Sequence, residues 1–120
     1  MTDGIKALVT GGAGFIGSHM VDRLLELEYT VVVMDDLSSG KIKNLNSDAV
    51  FHHTDITQKT TGDIIQREQP DLVFHMAAQT SVIKSTKNPI DDTKANVIGT
   101  MRVLEASRWV GVEKVIYSCT

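Results

Sequence analysis

Leu8-Val9-Thr10-Gly11-Gly12-Ala13-Gly14-Phe15-Ile16-Gly17 is the stretch whose reading decides the fold of this chain. The apolar run from Ile5 to Val9, broken only by Lys6, reads as a buried strand that stops at glycines. Beyond them an apolar helical period begins. Gly11, Gly14 and Gly17 stand three apart, so one short unit holds strand, tight turn and helix. Each missing Cβ has a use: the first permits the turn, the second lets a diphosphate approach bare backbone, the third lets helix and strand pack closely. A phosphate there meets unpaired N–H groups at the positive end of the helix dipole. No Gly-Lys-Ser/Thr follows, so the turn is not a P-loop.

Working outward, the helix after the turn carries Ile16, Met20, Leu24 and Leu27 on one face, widened by Val21 and Leu25, with Asp22, Arg23, Glu26 and Glu28 largely opposite. Thr30–Met34 is continuously apolar and β-branched, the pattern of a strand covered on both faces. It ends at Asp35-Asp36, and Leu37-Ser38-Ser39-Gly40 reads as a loop. Ala49–His53 is a shorter third strand ending at Asp55-Ile56. Thr61–Gln69 forms a helix closed by Pro70, which biases Gln69 away from helical geometry. Leu72–Met76 is a fourth strand, and Ala77–Lys87 a polar loop. A long helix then runs from Pro89 or Asp92 to Val110, with Val97, Met101 and Leu104 on one face and Gly111 as its stop. Lys114–Cys119 is a fifth strand.

Strands alternating with helices predict an α/β domain, a Rossmann-type doubly wound parallel sheet. Right-handed crossovers and a reversal after the third strand give strand order 3-2-1-4-5. The reversal opens a crevice between strands one and four at their carboxyl ends. The distinctive residues gather at such ends: Gly11–Gly17, Asp35, Asp55, Ala77–Gln79 and Ser118–Thr120.

At 120 residues the chain has the length of one domain with one core. Its 42% apolar and 22% charged composition excludes the disordered and membrane classes. A net charge of −3 gives no reason to expect nucleic acid or an acidic membrane as partner. The single cysteine, Cys119, allows no internal disulfide and fits a reducing compartment. With no leader ahead of the first strand and no apolar run of membrane-spanning length, a cytoplasmic location is expected.

Asp35 stands 18 residues past Gly17, where a carboxylate can accept both hydroxyls of an adenosine ribose. A 2′-phosphate would meet that charge directly, so NAD is expected rather than NADP. Asp55 either bonds an adenine amino group or caps the turn before Thr57. His19, His52, His53 and His75 have no metal-ligand spacing with one another or with Cys119, so no metal is expected. Neighbouring His52 and His53 point to opposite faces of their strand, and His75 reads as a structural histidine. Trp109, Met20 and Met101 fit helix packing. Asn96 interrupts a helix whose inner face meets the sheet, and it either faces a cofactor or pins the helix through an internal hydrogen bond. Gly99, three residues on, marks a close approach of backbone to another surface.

Taken together, these residues resemble the NAD-dependent epimerase/dehydratases of the extended short-chain dehydrogenase/reductase superfamily, which act on nucleotide sugars, and among them most the UDP-glucose 4-epimerase group. The likeness runs through Val9–His19, Asp35–Gly40, Asp55-Ile56, His75–Gln79, Asn96–Thr100 and Tyr117–Thr120. It implies that Phe15 and Ile16 lend backbone N–H groups to the diphosphate. Asp35, Asp36, Leu37, Ser38, Ser39 and Gly40 would hold the adenosine ribose, and Asp55 and Ile56 the adenine. Met76, Ala77, Ala78, Gln79 and Thr80 would line the cofactor between phosphates and nicotinamide ribose, supported by Asn96. Thr120 falls where the family keeps a catalytic Ser or Thr that hydrogen-bonds the sugar hydroxyl. Asp36 departs from the Asn common in the family, adding negative charge beside the adenosine.

A larger departure concerns the family's Tyr-x-x-x-Lys, whose tyrosine takes the hydroxyl proton as hydride moves to NAD. Tyr29 is followed four places on by Val33, Tyr117 lies on a strand, and no such pair occurs in these 120 residues. The expectation is therefore the N-terminal NAD-binding portion, residues 1–120, of a nucleotide-sugar epimerase or dehydratase, reaching its catalytic threonine and lacking a substrate domain. Two rivals stand beside it: a non-catalytic NAD-sensing module and a bare folding fragment. The fifth strand is expected to be an apolar edge that pairs with another copy, making a homo-oligomer.

Overall fold

In the computed structural model, which describes residues 4–38, 40–77, 89–90 and 97–117, the expected sheet is found. Strands β1 (Lys6–Thr10), β2 (Thr30–Asp35), β3 (Val50–His53), β4 (Leu72–His75) and β5 (Lys114–Tyr117) lie in the order β3-β2-β1-β4-β5. All four pairings are parallel. Register sets the strand ends level: Thr10 sits opposite Met34 on one side and His75 on the other.

Alternation along the strands sorts the core into two layers. Leu8, Val32, Met34 and Val73 face one way, packed with Ile56, Ile64, Ile65 and Val103. Ala7, Val9, Val31 and Val33 face the other, packed with Val21 and Leu24. The first layer is covered by α2 (Thr60–Glu68) and α3 (Gly99–Val110), the second by α1 (Phe15–Glu26). Burial on both faces is why β1 and β2 read as continuous apolar runs.

Two helices are rotated from their expected orientation. On α1, Ile16 is exposed, as is Leu27 just past its end, and the inward line is Gly17, Ser18, Val21 and Leu24. On α3, Met101 and Leu104 face outward, as does Val97 just ahead of it, while Gly99, Val103 and Ser107 are buried. The physical reason is shared: small residues mark the contact face because they allow close approach, and a hydrophobic period does not count them. Gly99 lies against Ile56, whose Cδ1 would be 2.5 Å from a Cβ placed there, as its close-approach reading expects. Ser107 is buried without penalty because its hydroxyl donates to the Val103 carbonyl at 2.7 Å.

The helix stops follow their local chemistry. Gln69, before Pro70, is left-handed at φ 49°, ending α2 at Glu68. Gly111 has φ 76°, and the next N–H, on Val112, bonds the Ser107 carbonyl at 2.9 Å. Pro89 and Ile90 are helical.

Candidate functional site

At the carboxyl end of β1 the chain turns through Gly11, at φ 72°, whose N–H donates to Met34 O at 2.7 Å. A Cβ on Gly11 would stand 2.8 Å from the Ala77 amide nitrogen, so the residues after β4 approach the turn only because that atom is missing. A Cβ on Gly17 would run into the Gly11 carbonyl oxygen. Gly14 precedes α1 with no side-chain cap, and the first helical bond runs from Ser18 N–H to Gly14 O at 2.9 Å. The N–H groups of Phe15, Ile16 and Gly17 therefore have no helical acceptor. They stand at the positive end of α1, the natural place for an anion.

Asp35 closes β2 and faces this bend. Its Oδ2 accepts the Ala13 N–H at 2.9 Å, and its Oδ1 accepts the Leu37 N–H at 2.7 Å. A carboxylate has about four lone-pair sites, so two bonds leave capacity for a diol. Leu37 is held left-handed at φ 62°, a conformation costing roughly 1–2 kcal/mol for a residue with a Cβ. The bond to Asp35 is what fastens it. Asp36 is exposed and turned into its own loop, accepting the Ser38 N–H at 2.9 Å.

Asp55 takes the capping role: its Oδ1 accepts both the N–H and the hydroxyl of Thr57 at 2.8 Å. The Ile56 side chain is buried in the core layer beneath α2 and α3, so only its backbone can serve a ligand. Met76 and Ala77, half-buried, line the crevice beside Gly11. Ser39, Ala78, Gln79, Thr80, Asn96 and Thr120 lie outside the described residues.

One network at the switch point escaped the sequence reading. The Thr10 hydroxyl accepts the N–H groups of Met76 at 3.0 Å and Ala77 at 3.1 Å, and lies 2.7 Å from His75 Nδ1. With two donors already aimed at its oxygen, Thr10 donates its own proton to Nδ1. The ring proton is then on Nε2, which donates to the Thr100 hydroxyl at 2.9 Å. Burial pushes the His75 pKa below its ordinary value, consistent with a neutral ring. His75 is thus a satisfied structural histidine that ties β1, β4 and α3 together. No sequence signal links Thr10 to Thr100.

The remaining polar groups are structural. His52 and His53 do point apart: His52 Nε2 meets Glu68 at 2.7 Å, and His53 Nε2 donates to the Asp36 carbonyl at 3.1 Å. Burial would raise the Glu68 carboxyl, but hydrogen bonds from His52 and Lys6, with their charge, hold it below the ordinary range. A groove of about 580 Å³ between α2 and α3, lined in part by Lys59, Asp63, Arg102 and Trp109, shares no residue with the crevice. Among the described residues no group of three His, Cys, Asp or Glu could hold a metal, and no helix is long and apolar enough to cross a membrane.

A family model described as the NAD dependent epimerase/dehydratase family matches residues 7–120. A UDP-glucose 4-epimerase of Mycolicibacterium smegmatis is 45% identical over 119 residues, covering 95% of this chain and 38% of that protein. The crystal structure of Thermotoga maritima UDP-glucose 4-epimerase with UDP-glucose matches with a TM-score of 0.95 at 49% identity, over 97% of this chain and 38% of that one. The Thermus thermophilus UDP-glucose 4-epimerase, in complex with NAD, matches with a TM-score of 0.88 at 43% identity, over 92% and 36%. The chain thus spans little more than a third of the length of each of these proteins.

Proposed function

This chain belongs to the NAD dependent epimerase/dehydratase family, and from that membership and the crevice between β1 and β4 we propose that it is the NAD-holding portion of a nucleotide-sugar enzyme of the UDP-glucose 4-epimerase type. One observation carries the cofactor assignment. The Asp35 carboxylate bonds the glycine turn itself, placing a diol acceptor beside three helix-terminal amides that lack acceptors. A diphosphate and an adenosine ribose need that pair of features side by side.

In this reading the amides of Phe15, Ile16 and Gly17 hold the diphosphate, and Asp35 grips the ribose with the loop Asp36–Gly40 around it. The backbone at Asp55 and Ile56 receives the adenine. Met76 and Ala77, with Ala78, Gln79, Thr80 and Asn96, border the rest of the dinucleotide, and Thr120 bonds the sugar hydroxyl. Bound NAD supplies a hydride acceptor for the sugar carbon, to which the hydride is returned. These residues bind and orient; the Tyr-x-x-x-Lys pair that moves the proton does not occur among the 120. The 120 residues alone are therefore proposed to bind NAD and not to turn over UDP-glucose. A cytoplasmic location and self-association belong to the same reading.

Calorimetric titration of the purified chain tests it. NAD should bind at least about tenfold more tightly than NADP, because a 2′-phosphate would sit against the Asp35 charge. Equal affinity for the two would remove the role given to Asp35, and epimerase activity from these 120 residues would contradict the division of labour.

A further inference from the structure

The segment between β2 and β3 touches the glycine turn at a point the cofactor reading leaves unused, the Ala13 carbonyl. The Lys41 N–H donates to that oxygen at 3.1 Å, and the Asn44 side-chain Nδ2 donates to it at 3.1 Å as well. Both lone pairs are taken. Because the acceptor is a carbonyl, the Asn44 amide must present its nitrogen, which fixes its orientation. A single 3₁₀ turn, Ile42–Asn44, carries Asn44 there, closed by Asn44 N–H to Lys41 O at 2.9 Å. Leu45 packs into the core layer under α1, and Asn46 Nδ2 bonds Asp22 Oδ1 on α1 at 3.0 Å. Gly40 lies so close that a Cβ there would be 2.7 Å from the Ala13 carbonyl carbon. The segment is a strap anchored on both sides of its contact.

What the strap prevents is specific. In a helix begun one residue earlier, Ala13 O would accept the N–H of Gly17, four residues on. Here that oxygen is filled from outside, and the first helical bond is Ser18 to Gly14. We propose that Asn44 is a positioning residue for the diphosphate of the dinucleotide. Acting through the Ala13 carbonyl, it holds the peptide ahead of Gly14 so that Gly14 stays extended at ψ 177°, α1 begins at Phe15, and the Gly17 N–H, with those of Phe15 and Ile16, stays free for phosphate oxygens. The inference rests on the NAD reading above and adds a residue that touches neither phosphate nor ribose. Asp35 holds the other end of the same residue, the Ala13 N–H, so losing Asn44 leaves the ribose acceptor in place.

The test compares the intact protein with its Asn44→Ala and Asn44→His variants. ADP and adenosine are titrated by calorimetry or NMR, and Gly17 amide exchange is followed without ligand. Asn44→Ala should bind ADP about fivefold more weakly, the worth of one hydrogen bond, with adenosine affinity unchanged. Its Gly17 amide should gain protection as Gly14, no longer held extended, turns helical and lets the Ala13 carbonyl accept the Gly17 N–H. Asn44→His, which presents an N–H at similar reach, should restore ADP binding. Unchanged ADP affinity in Asn44→Ala, equal losses for ADP and adenosine, or no added protection at Gly17 each overturn the proposal alone. A wild-type protein that binds neither NAD nor ADP overturns the cofactor reading and this proposal with it.

Discussion

Asp35 and Ala13, 22 residues apart in sequence, are joined by a 2.9 Å bond from the Ala13 amide to the carboxylate at the end of β2. The same carboxylate holds the Leu37 N–H, so one buried side chain fixes both the turn after β1 and the loop after β2. In the proposed function, recognition of the ribose and shaping of the phosphate turn therefore depend on this one charge.

Asp35→Asn keeps the shape but offers an NH₂ where a backbone N–H needs an acceptor. Hydrogen bonds to a charged group are worth about 1.5–3 kcal/mol, so NAD affinity should fall by roughly 10- to 100-fold with a comparable loss of folding stability. Calorimetry and urea denaturation read the two effects. A variant that bound NAD as the wild type does would separate the carboxylate from the cofactor.

Thr10→Val removes the hydroxyl that serves Met76, Ala77 and His75 at once. The Met76 N–H keeps the Thr10 backbone carbonyl at 3.0 Å, so the groups left unpaired are the Ala77 N–H and His75 Nδ1, which should cost about 1–3 kcal/mol in urea denaturation, whereas Thr10→Ser, which keeps the oxygen, should cost far less. The same network predicts a pH dependence. Burial lowers the His75 pKa in the folded state, so the unfolded chain binds the proton more readily. The contribution of His75 to stability is full above its ordinary value of 6.5 and is lost as pH falls through the folded value. Its recorded partners are the hydroxyls of Thr10 and Thr100, with no charged group among them to rescue a protonated ring. Denaturation curves between pH 7 and 5 should show the decline, and His75→Gln should flatten it.

Gly11 and Gly111 share a positive φ, 72° and 76°, but differ in surroundings. A Cβ at Gly111 meets nothing within 4 Å, while one at Gly11 strikes the backbone of Met76 and Ala77. Gly111→Ala should cost about 1 kcal/mol for the backbone conformation alone. Gly11→Ala should cost about 2–4 kcal/mol and abolish NAD binding, since the strand ends on either side of the crevice must part. Equal destabilisation by the two would mean that the crevice wall yields.

Two surfaces predict self-association. β5 stands at one end of the described sheet, and Met101 and Leu104 on the outer side of α3, with Val97 just ahead of it, are 60%, 41% and 54% exposed. Light scattering at high concentration should report dimers or larger species, and Met101→Lys should weaken them. A chain that stayed monomeric throughout would remove this expectation.

By itself, the sequence determined the strands, the glycine turn and the carboxylate at the end of β2. Each is a local matter: a run of β-branched residues, a missing Cβ, an acidic residue where a strand stops. Gly99 and Gly111 were legible for the same reason. Tertiary structure alone decided which faces of α1 and α3 turn inward, because glycine and serine at the contact carry no hydrophobic signal. It also decided that Asp55 caps Thr57, that Thr10 and Thr100 meet across His75, and that Asn44 lands on Ala13. Hydrogen bonds between residues 25, 31 or 65 positions apart leave no period to read. They exist only once the sheet has brought the strand ends level.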